Sequence, residues 1–369
     1  MHRHDHAIAS EMTPAVGPVA TATEQITCLI PTFNRRRLLT RAVASALLQH
    51  VPNMVVHVFD NHSTDGSDHL FTLLKARYSN FKATVHSENI GAYRNFCAAF
   101  ASVSTPYFSI LSDDDLLLPG FYRNALAYLN THPDCGMYCA DTLHATGSGS
   151  VRFSSNYNWK AGGFARGDGY RKIKQLGHPT WTGIVFRREV FAQTELLDNA
   201  GSPTDLDFEL QTARKFGIYV SRYPGAVLTM SPITASANKP LSWVYPCWED
   251  FMQRHCQGFG KRNTREIRFL SDRYFADLLS VFTQRATPQT DRCKILNIFQ
   301  KYRFWSGAGN RLVRISLVLG GASCDSRQLK LALVIRKALK LIEQPRLLLN
   351  FLKLRRIDRV LRRLRIFTW

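Results

Sequence analysis

The sequence is short of several things, and each shortage narrows what the protein can be. Its eight cysteines (Cys28, Cys97, Cys135, Cys139, Cys247, Cys256, Cys293, Cys324) contain no CxxC pair and no regular framework. That argues against a disulfide scaffold and common zinc-finger spacings, and points to a reducing compartment, the cytoplasm. Several of them sit in apolar runs, where a free Cys behaves as a small core residue. No stretch approaches the roughly 18 uninterrupted apolar residues of a membrane-crossing helix. The best candidate, Ile315–Leu319, is far too short. The first 25 residues are rich in Ala, Thr, Pro and His but lack the apolar centre of a signal peptide, so they read as a disordered tail. His2, His4 and His6 fit that solvated tail better than a metal site.

Acidic residues are scarce where basic ones are dense. From Lys294 to Trp369 there are 18 Lys and Arg against 3 Asp and Glu, which is most of the chain's net charge of +20. A charge concentrated in this way calls for an acidic partner, phospholipid or nucleic acid. Otherwise the composition is ordinary: 45% hydrophobic and 21% charged residues in a chain of 369 are enough for a core without staples.

The first 145 residues alternate between two periodicities. Ile26–Pro31 is an apolar, β-rich run ended by proline, and Arg37–His50 follows with Leu38, Leu39, Ala42, Val43, Ala46 and Leu47 at helical spacing. Val55–Phe59, Ala83–His86, Tyr107–Leu111 and Gly136–Ala140 read as further strands. Helices are predicted through Leu70–Leu74, Arg94–Ala101 and Phe121–Asn130, with Thr64 or Asp65 able to cap the first of these. This β-α alternation predicts an α/β fold, a mostly parallel sheet with helices on both faces. Ligands in such sheets bind beyond the carboxyl ends of the strands. The loops at those ends carry Thr32-Phe33-Asn34-Arg35, Asp60-Asn61-His62-Ser63, Glu88-Asn89-Ile90-Gly91 and Asp113-Asp114-Asp115. Gly147–Gly169, rich in Gly and Ser, reads as an irregular excursion or mobile loop. His178–Phe186 is strand-like, Leu206–Phe216 helical, and the chain from about Trp243 onward mostly helical.

Ile110–Gly120 (ILSDDDLLLPG) sets three adjacent carboxylates against an apolar strand, where they repel one another unless a cation is near. Mg²⁺ or Mn²⁺ fits, because hard divalent ions prefer carboxylate and phosphate oxygens. A solvated turn with helix-capping aspartates fits the triplet alone equally well. Position at a strand's carboxyl end favours the metal reading.

Four segments in order resemble the opening of the family 2 glycosyltransferases. They are Ile30-Pro31-Thr32-Phe33-Asn34-Arg35, then Phe59 to Ser67 (FDNHSTDGS), then Glu88-Asn89-Ile90-Gly91 with Asn95, then Leu111-Ser112-Asp113-Asp114-Asp115 with Pro119. The resemblance covers about Ile26 to Met230 and is strongest through residue 141. It implies a GT-A fold (Rossmann-like) and transfer of a sugar from a UDP- or dTDP-type donor to a glycan or lipid-linked acceptor. It further implies inversion, dependence on Mn²⁺ or Mg²⁺, and a setting in bacterial surface polysaccharide assembly. By resemblance, Asp60 reads the base, Pro31, Thr32, Asn34, Arg35 and Asn89 line the nucleotide, and Asp113 contacts ribose or metal-bound water. Asp114 is the principal metal ligand, and Asp115 shares that role. The family often has an acid where Ser112 stands, which leaves slack in this register.

The resemblance extends to Ser202–Leu210 (SPTDLDFEL), with Asp205 at the position of the base that deprotonates the acceptor and Asp207 beyond it. Thr204 replaces the family's usual Glu, and helix capping by Thr204 or Asp205 is the competing account. Trp181-Thr182-Gly183, ahead of Phe186-Arg187-Arg188-Glu189, matches the acceptor-side strand. There Trp181 offers a stacking face and Gly183 leaves room for the donor sugar. Family members often place a metal-reaching His after the acid-bearing helix, and Leu228–Pro232 has none. Fewer protein ligands, substitution by His178 or another group, and reduced activity are all consistent with that gap.

The resulting organisation is a tail (1–25), a GT-A region (26–240, with a nucleotide half 26–141 and an acceptor half 142–240), and a helical C-terminal region (241–369). In the last, Leu347, Phe351, Leu354, Ile357, Leu361 and Leu364 form one helical stripe, with Arg355, Arg356, Arg359, Arg362 and Arg363 largely off it. Such a helix suits an anionic membrane surface and predicts a peripheral location at the inner face of the cell membrane. A helix packed on the catalytic region with a solvated basic face is the alternative. Nucleic acid is not expected, since no recognition motif accompanies the charge. Two rival functions remain: a catalytically silent GT-A-like membrane scaffold, and a sugar nucleotidylyltransferase. The second needs a Gly-rich loop after the first strand, and Thr32–Arg37 has no glycine.

Overall fold

The computed structural model describes residues 25–146, 149–196, 204–230, 240–256, 266–284 and 286–301. The N-terminal tail and the basic stripe from Leu347 lie outside the described residues. The chain runs β1 (Ile26–Thr32), α1 (Arg36–Leu47), β2 (Met54–Asp60), α2 (Ser67–Arg77), β3 (Phe81–Val85), α3 (Ala92–Ala101), β4 (Tyr107–Ile110), β5 (Leu116–Leu117) and α4 (Phe121–Thr131). It continues through β6 (Cys135–Thr146), β7 (Val151–Ser154), β8 (Gly162–Phe164), α5 (Asp168–Leu176), β9 (Ile184–Arg187), α6 (Thr204–Lys215) and β10 (Gly217–Met230). Then come α7 (Leu241–His255), α8 (Arg268–Thr283) and α9 (Gln289–Lys301).

The sheet order is β3-β2-β1-β4-β9-β6-β10-β5, with β7 beside β6 and β8 beside β10. β1 pairs in parallel with β2 and β4, and β2 with β3, so these four strands end at one edge. β9 runs antiparallel between β4 and β6, while β10 lies parallel to β6. β1 is buried at every position except Pro31, as expected of a central parallel strand covered on both faces. Its side chains alternate between two cores. Ile26, Cys28 and Ile30 join Leu39, Val43, Phe71, Phe121 and Tyr122 on one face. Leu29 joins Phe100, Phe108, Trp181, Phe186 and Phe208 on the other.

That second core continues without a break into Trp248, Phe251, Phe275, Phe282 and Phe299, so α7, α8 and α9 pack on the same side as α5 and α6. The segment expected to be an irregular excursion differs from the expectation. It holds β7, β8 and the start of α5, because its short β-forming pieces pair antiparallel with the long strands β6 and β10. Among the described residues no helix is long and apolar enough to cross a membrane.

Candidate active site

The parallel register sets Thr32 directly beside Asp60, each the last residue of its strand. Thr32 Oγ1 donates to Asp113 Oδ2 at 2.8 Å, which ties the carboxylate loop after β4 to the end of β1. Arg35 reaches the same loop: its Nη1 lies 3.0 Å from Asp113 Oδ1 and 3.1 Å from Asp114 Oδ2. One cationic nitrogen therefore satisfies two consecutive carboxylates, and the self-repulsion inherent in the triplet is offset by charge-assisted bonds. Asp114 also feels the charge of Arg41 on α1. Burial pushes the Asp113 pKa up, while the Thr32 bond and the Arg35 charge pull it back.

The neighbouring loops hold one another in place. Asn34 takes a left-handed φ of 52°, which Asn tolerates better than most residues. Its backbone N–H donates to Ser63 Oγ at 2.8 Å, and its Oδ1 accepts from Thr64 N at 2.7 Å. Asp65 accepts from the backbone of Arg36 at 2.7 Å and of Ser67 at 3.2 Å, joining the starts of α1 and α2. Asp60 is 2% exposed, and one of its oxygens accepts from both the backbone N–H and the hydroxyl of Ser63. Burial raises its pKa and the two Ser63 bonds oppose that rise. Asn61 donates to Asn89 Oδ1 at 2.8 Å and accepts from Ile90 N at 2.9 Å. Asn95 Nδ2 donates to Phe59 O and its Oδ1 accepts from His86 Nε2, both at 3.0 Å, closing the third loop onto β2.

Asp115 is placed differently from its two neighbours. It is 3% exposed, with Oδ2 accepting from Thr182 Oγ1 at 2.5 Å and Oδ1 from Thr229 N at 2.8 Å. Burial and the Asp114 charge push its pKa up to about 8. The structure thus brings Thr32, Arg35, Asp60, Asp113 and Asp114 together at the sheet edge, and sets Asp115 beneath them as a tie to β10.

Asp205 stands in the first turn of α6, with Oδ1 accepting from the Leu206 N–H at 2.8 Å. Its carbonyl accepts from Trp181 Nε1 at 3.1 Å. Trp181 and Thr182, adjacent in the chain, therefore attach to Asp205 and Asp115 respectively. Trp181 itself is 9% exposed and sits among Phe96, Phe100 and Phe208, so most of its surface belongs to the core. A Cβ on Gly183 would lie 2.3 Å from Thr142 Oγ1, so the missing side chain makes room for Thr142. Asp207 is 1% exposed and accepts from Arg254, from Gln211 Nε2 at 2.6 Å and from His255 Nε2 at 2.7 Å, binding α7 to α6. His178 is committed to Glu209, its Nδ1 lying 3.1 Å from Oε2 and 3.3 Å from Oε1. The Thr182, Glu209, Arg254 and Ser63 contacts were not foreseen. Only Glu209 left a signal, its i+4 spacing from Asp205 on a predicted helix.

A divalent ion fits Asp113 and Asp114, whose oxygens already converge on a single cation and are of the hard kind Mg²⁺ and Mn²⁺ favour. Among the described residues no group of three or more His, Cys, Asp and Glu is arranged to hold a metal. Two carboxylates completed by substrate phosphates is a usual arrangement for Mg²⁺.

Residues 27–194 match the model of glycosyl transferase family 2. No curated protein sequence matches the chain. Among solved structures, S. aureus TarS 1–349 is similar with a TM-score of 0.57 at 15% identity, over 87% of this chain and 92% of that one. The same protein in complex with UDP-GlcNAc gives 0.58 at 15% identity, with the same coverage. A longer TarS structure gives 0.55 at 15% identity, over 84% of this chain and 55% of that one. Sequence motifs, sheet topology and family match agree: residues 27–194 are a family 2 glycosyl transferase domain, and the chain has the GT-A fold.

Proposed function

We propose that the chain transfers a sugar from a nucleoside diphosphate donor of the UDP or dTDP type to a glycan or lipid-linked acceptor, with inversion at the anomeric carbon. The observation carrying this reading is the meeting of Thr32, Arg35, Asp60, Asp113 and Asp114 at the carboxyl edge of the parallel strands. Asp60 has acceptor oxygens for the imide N–H of a uracil or thymine ring, and Pro31, Asn34 and Asn89 shape the loops around it. The complex of the fold neighbour TarS with UDP-GlcNAc supports a UDP-type donor. Asp113 and Asp114 would hold Mn²⁺ or Mg²⁺, which neutralises a leaving diphosphate when bound. Arg35, within reach of the same oxygens, supplies positive charge there as well. Asp115, bonded to Thr182 and Thr229, braces this loop from below.

On the acceptor side, Asp205 removes the proton from the attacking hydroxyl. Trp181 borders the sugar by its exposed edge, while Gly183 and Asp207 support that wall through Thr142 and α7. The setting is surface polysaccharide synthesis at the inner face of the membrane, supported by the positive charge gathered after Lys294. Donor turnover is the direct test. A panel of UDP- and dTDP-sugars with Mn²⁺ should yield nucleoside diphosphate from one class and much less with chelator. No release from any donor would favour the silent scaffold. Anionic vesicles should sediment more of the full chain than neutral ones, and equal recovery would remove the membrane assignment.

A further inference from the structure

Asp205 and Glu209 are four residues apart on α6, which sets both carboxylates on one face a single turn apart. Glu209 is fully buried, and its one ionic partner among the described residues is His178, from the segment between α5 and β9. An unpaired carboxylate there would be costly, so burial alone favours keeping a proton in this pair. Other charges and titratable groups face it as well. Arg273 from α8 and His144 from β6 lie near His178, and Cys139 of β6 lies near Glu209. The Phe269 ring of α8 packs 5.8 Å from the imidazole and limits water on that side.

We propose that His178 and Glu209 are a positioning pair for Asp205, holding one proton beside it and thereby setting the pH window of glycosyl transfer. The inference rests on Asp205 being the base. While His178 carries the proton, an imidazolium bonded to Glu209 sets a positive charge near Asp205. When the proton leaves, that positive charge is lost and the buried Glu209 anion acts on Asp205 one helical turn away. Burial would by itself lower the His178 pKa, but the charges of Glu209 and Asp205 outweigh it and the pKa lies above the ordinary value. Burial pushes Glu209 upward in turn.

Two measurements on the full chain test this. In the first, the His178 ring is titrated by NMR with labelled histidine. Its midpoint should fall by about one pH unit in Glu209→Gln and measurably in Asp205→Asn, since each removes an anion that favours the imidazolium. In the second, the pH profile of kcat is recorded. Glu209→Gln should move its alkaline limb down by about the same one unit, and His178→Gln should move the acid limb up. An unchanged His178 midpoint in Asp205→Asn, or variant profiles that superimpose on the parent after scaling, overturns the pairing. Should Glu209→Gln not fold, the Asp205→Asn titration alone still decides. Near-normal turnover by Asp205→Asn would instead sink the base assignment, whatever the imidazole does.

Discussion

At the scale of single residues, the site divides into groups that face the sheet edge and groups that hold them there. Asp113 and Asp114 share Arg35, whereas Asp115, next in the chain, is buried on Thr182 and Thr229. Adjacent identical letters thus have different work, and only the bonds separate them. Asp205 has one oxygen on the Leu206 N–H and is only partly buried, so it can meet a hydroxyl from outside. Asp205→Asn should therefore lower kcat by about 10²- to 10⁴-fold, the usual contribution of a general base. Donor affinity by calorimetry should stay within a few-fold of the parent, because the nucleotide side does not include this residue. Loss of donor affinity in step with kcat would show that Asp205 acts on the donor instead.

At the scale of elements, the alternation from β1 to β4 was legible because strand and helix periods switch cleanly and a central parallel strand is apolar throughout. β10 was not legible. It contains Pro224 and Gly225, which read as a break, and the strand survives them through register shifts on either side of Pro224. β7 and β8 were hidden for a related reason: three or four residues are too few to show a period. The residues that meet at the sheet edge were legible as loop motifs, but the ties beneath them (Thr182 to Asp115, His178 to Glu209) join segments far apart in sequence. Two predictions belong here. Gly183→Ala should destabilise by about 1–3 kcal/mol through the close approach to Thr142 Oγ1. Thr142→Ala should recover much of that loss, since Oγ1 is buried with no hydrogen-bond partner among the described residues; additive melting shifts would refute the contact. The second concerns His57 on β2, whose pKa falls to about 4 from an ordinary 6.5 through burial and the charges of Lys82 and Lys75. Between those values the unfolded chain binds a proton that the folded one does not, so stability is lost as pH falls from about 6.5 to 4. His57→Gln should flatten that part of a Tm-versus-pH curve and leave the curve above pH 7 nearly parallel to the parent.

At the scale of the whole molecule, the helices after residue 240 share a core with the sheet, as Trp248, Phe251 and Phe275 continue the cluster that contains Phe108 and Phe186. Asp207 adds a polar seam, bound by Arg254 and His255 across α6 and α7. A chain ended at Pro240 would expose that apolar face, and it should be recovered in the soluble fraction poorly or melt well below the full chain. A truncated form with an unchanged Tm would mean that α7 to α9 stand apart energetically. The adjacent pair Trp181 and Thr182 has a different bearing, on how such enzymes can be recombined. One attaches to the helix that carries Asp205 and the other to the loop that carries Asp113 and Asp114. Their α-carbons are separated by a single peptide unit, about 3.8 Å. Chimaeras exchanging acceptor loops between relatives should therefore place their junctions outside residues 178–183. A junction inside that stretch would change the span between Asp205 and the carboxylate loop.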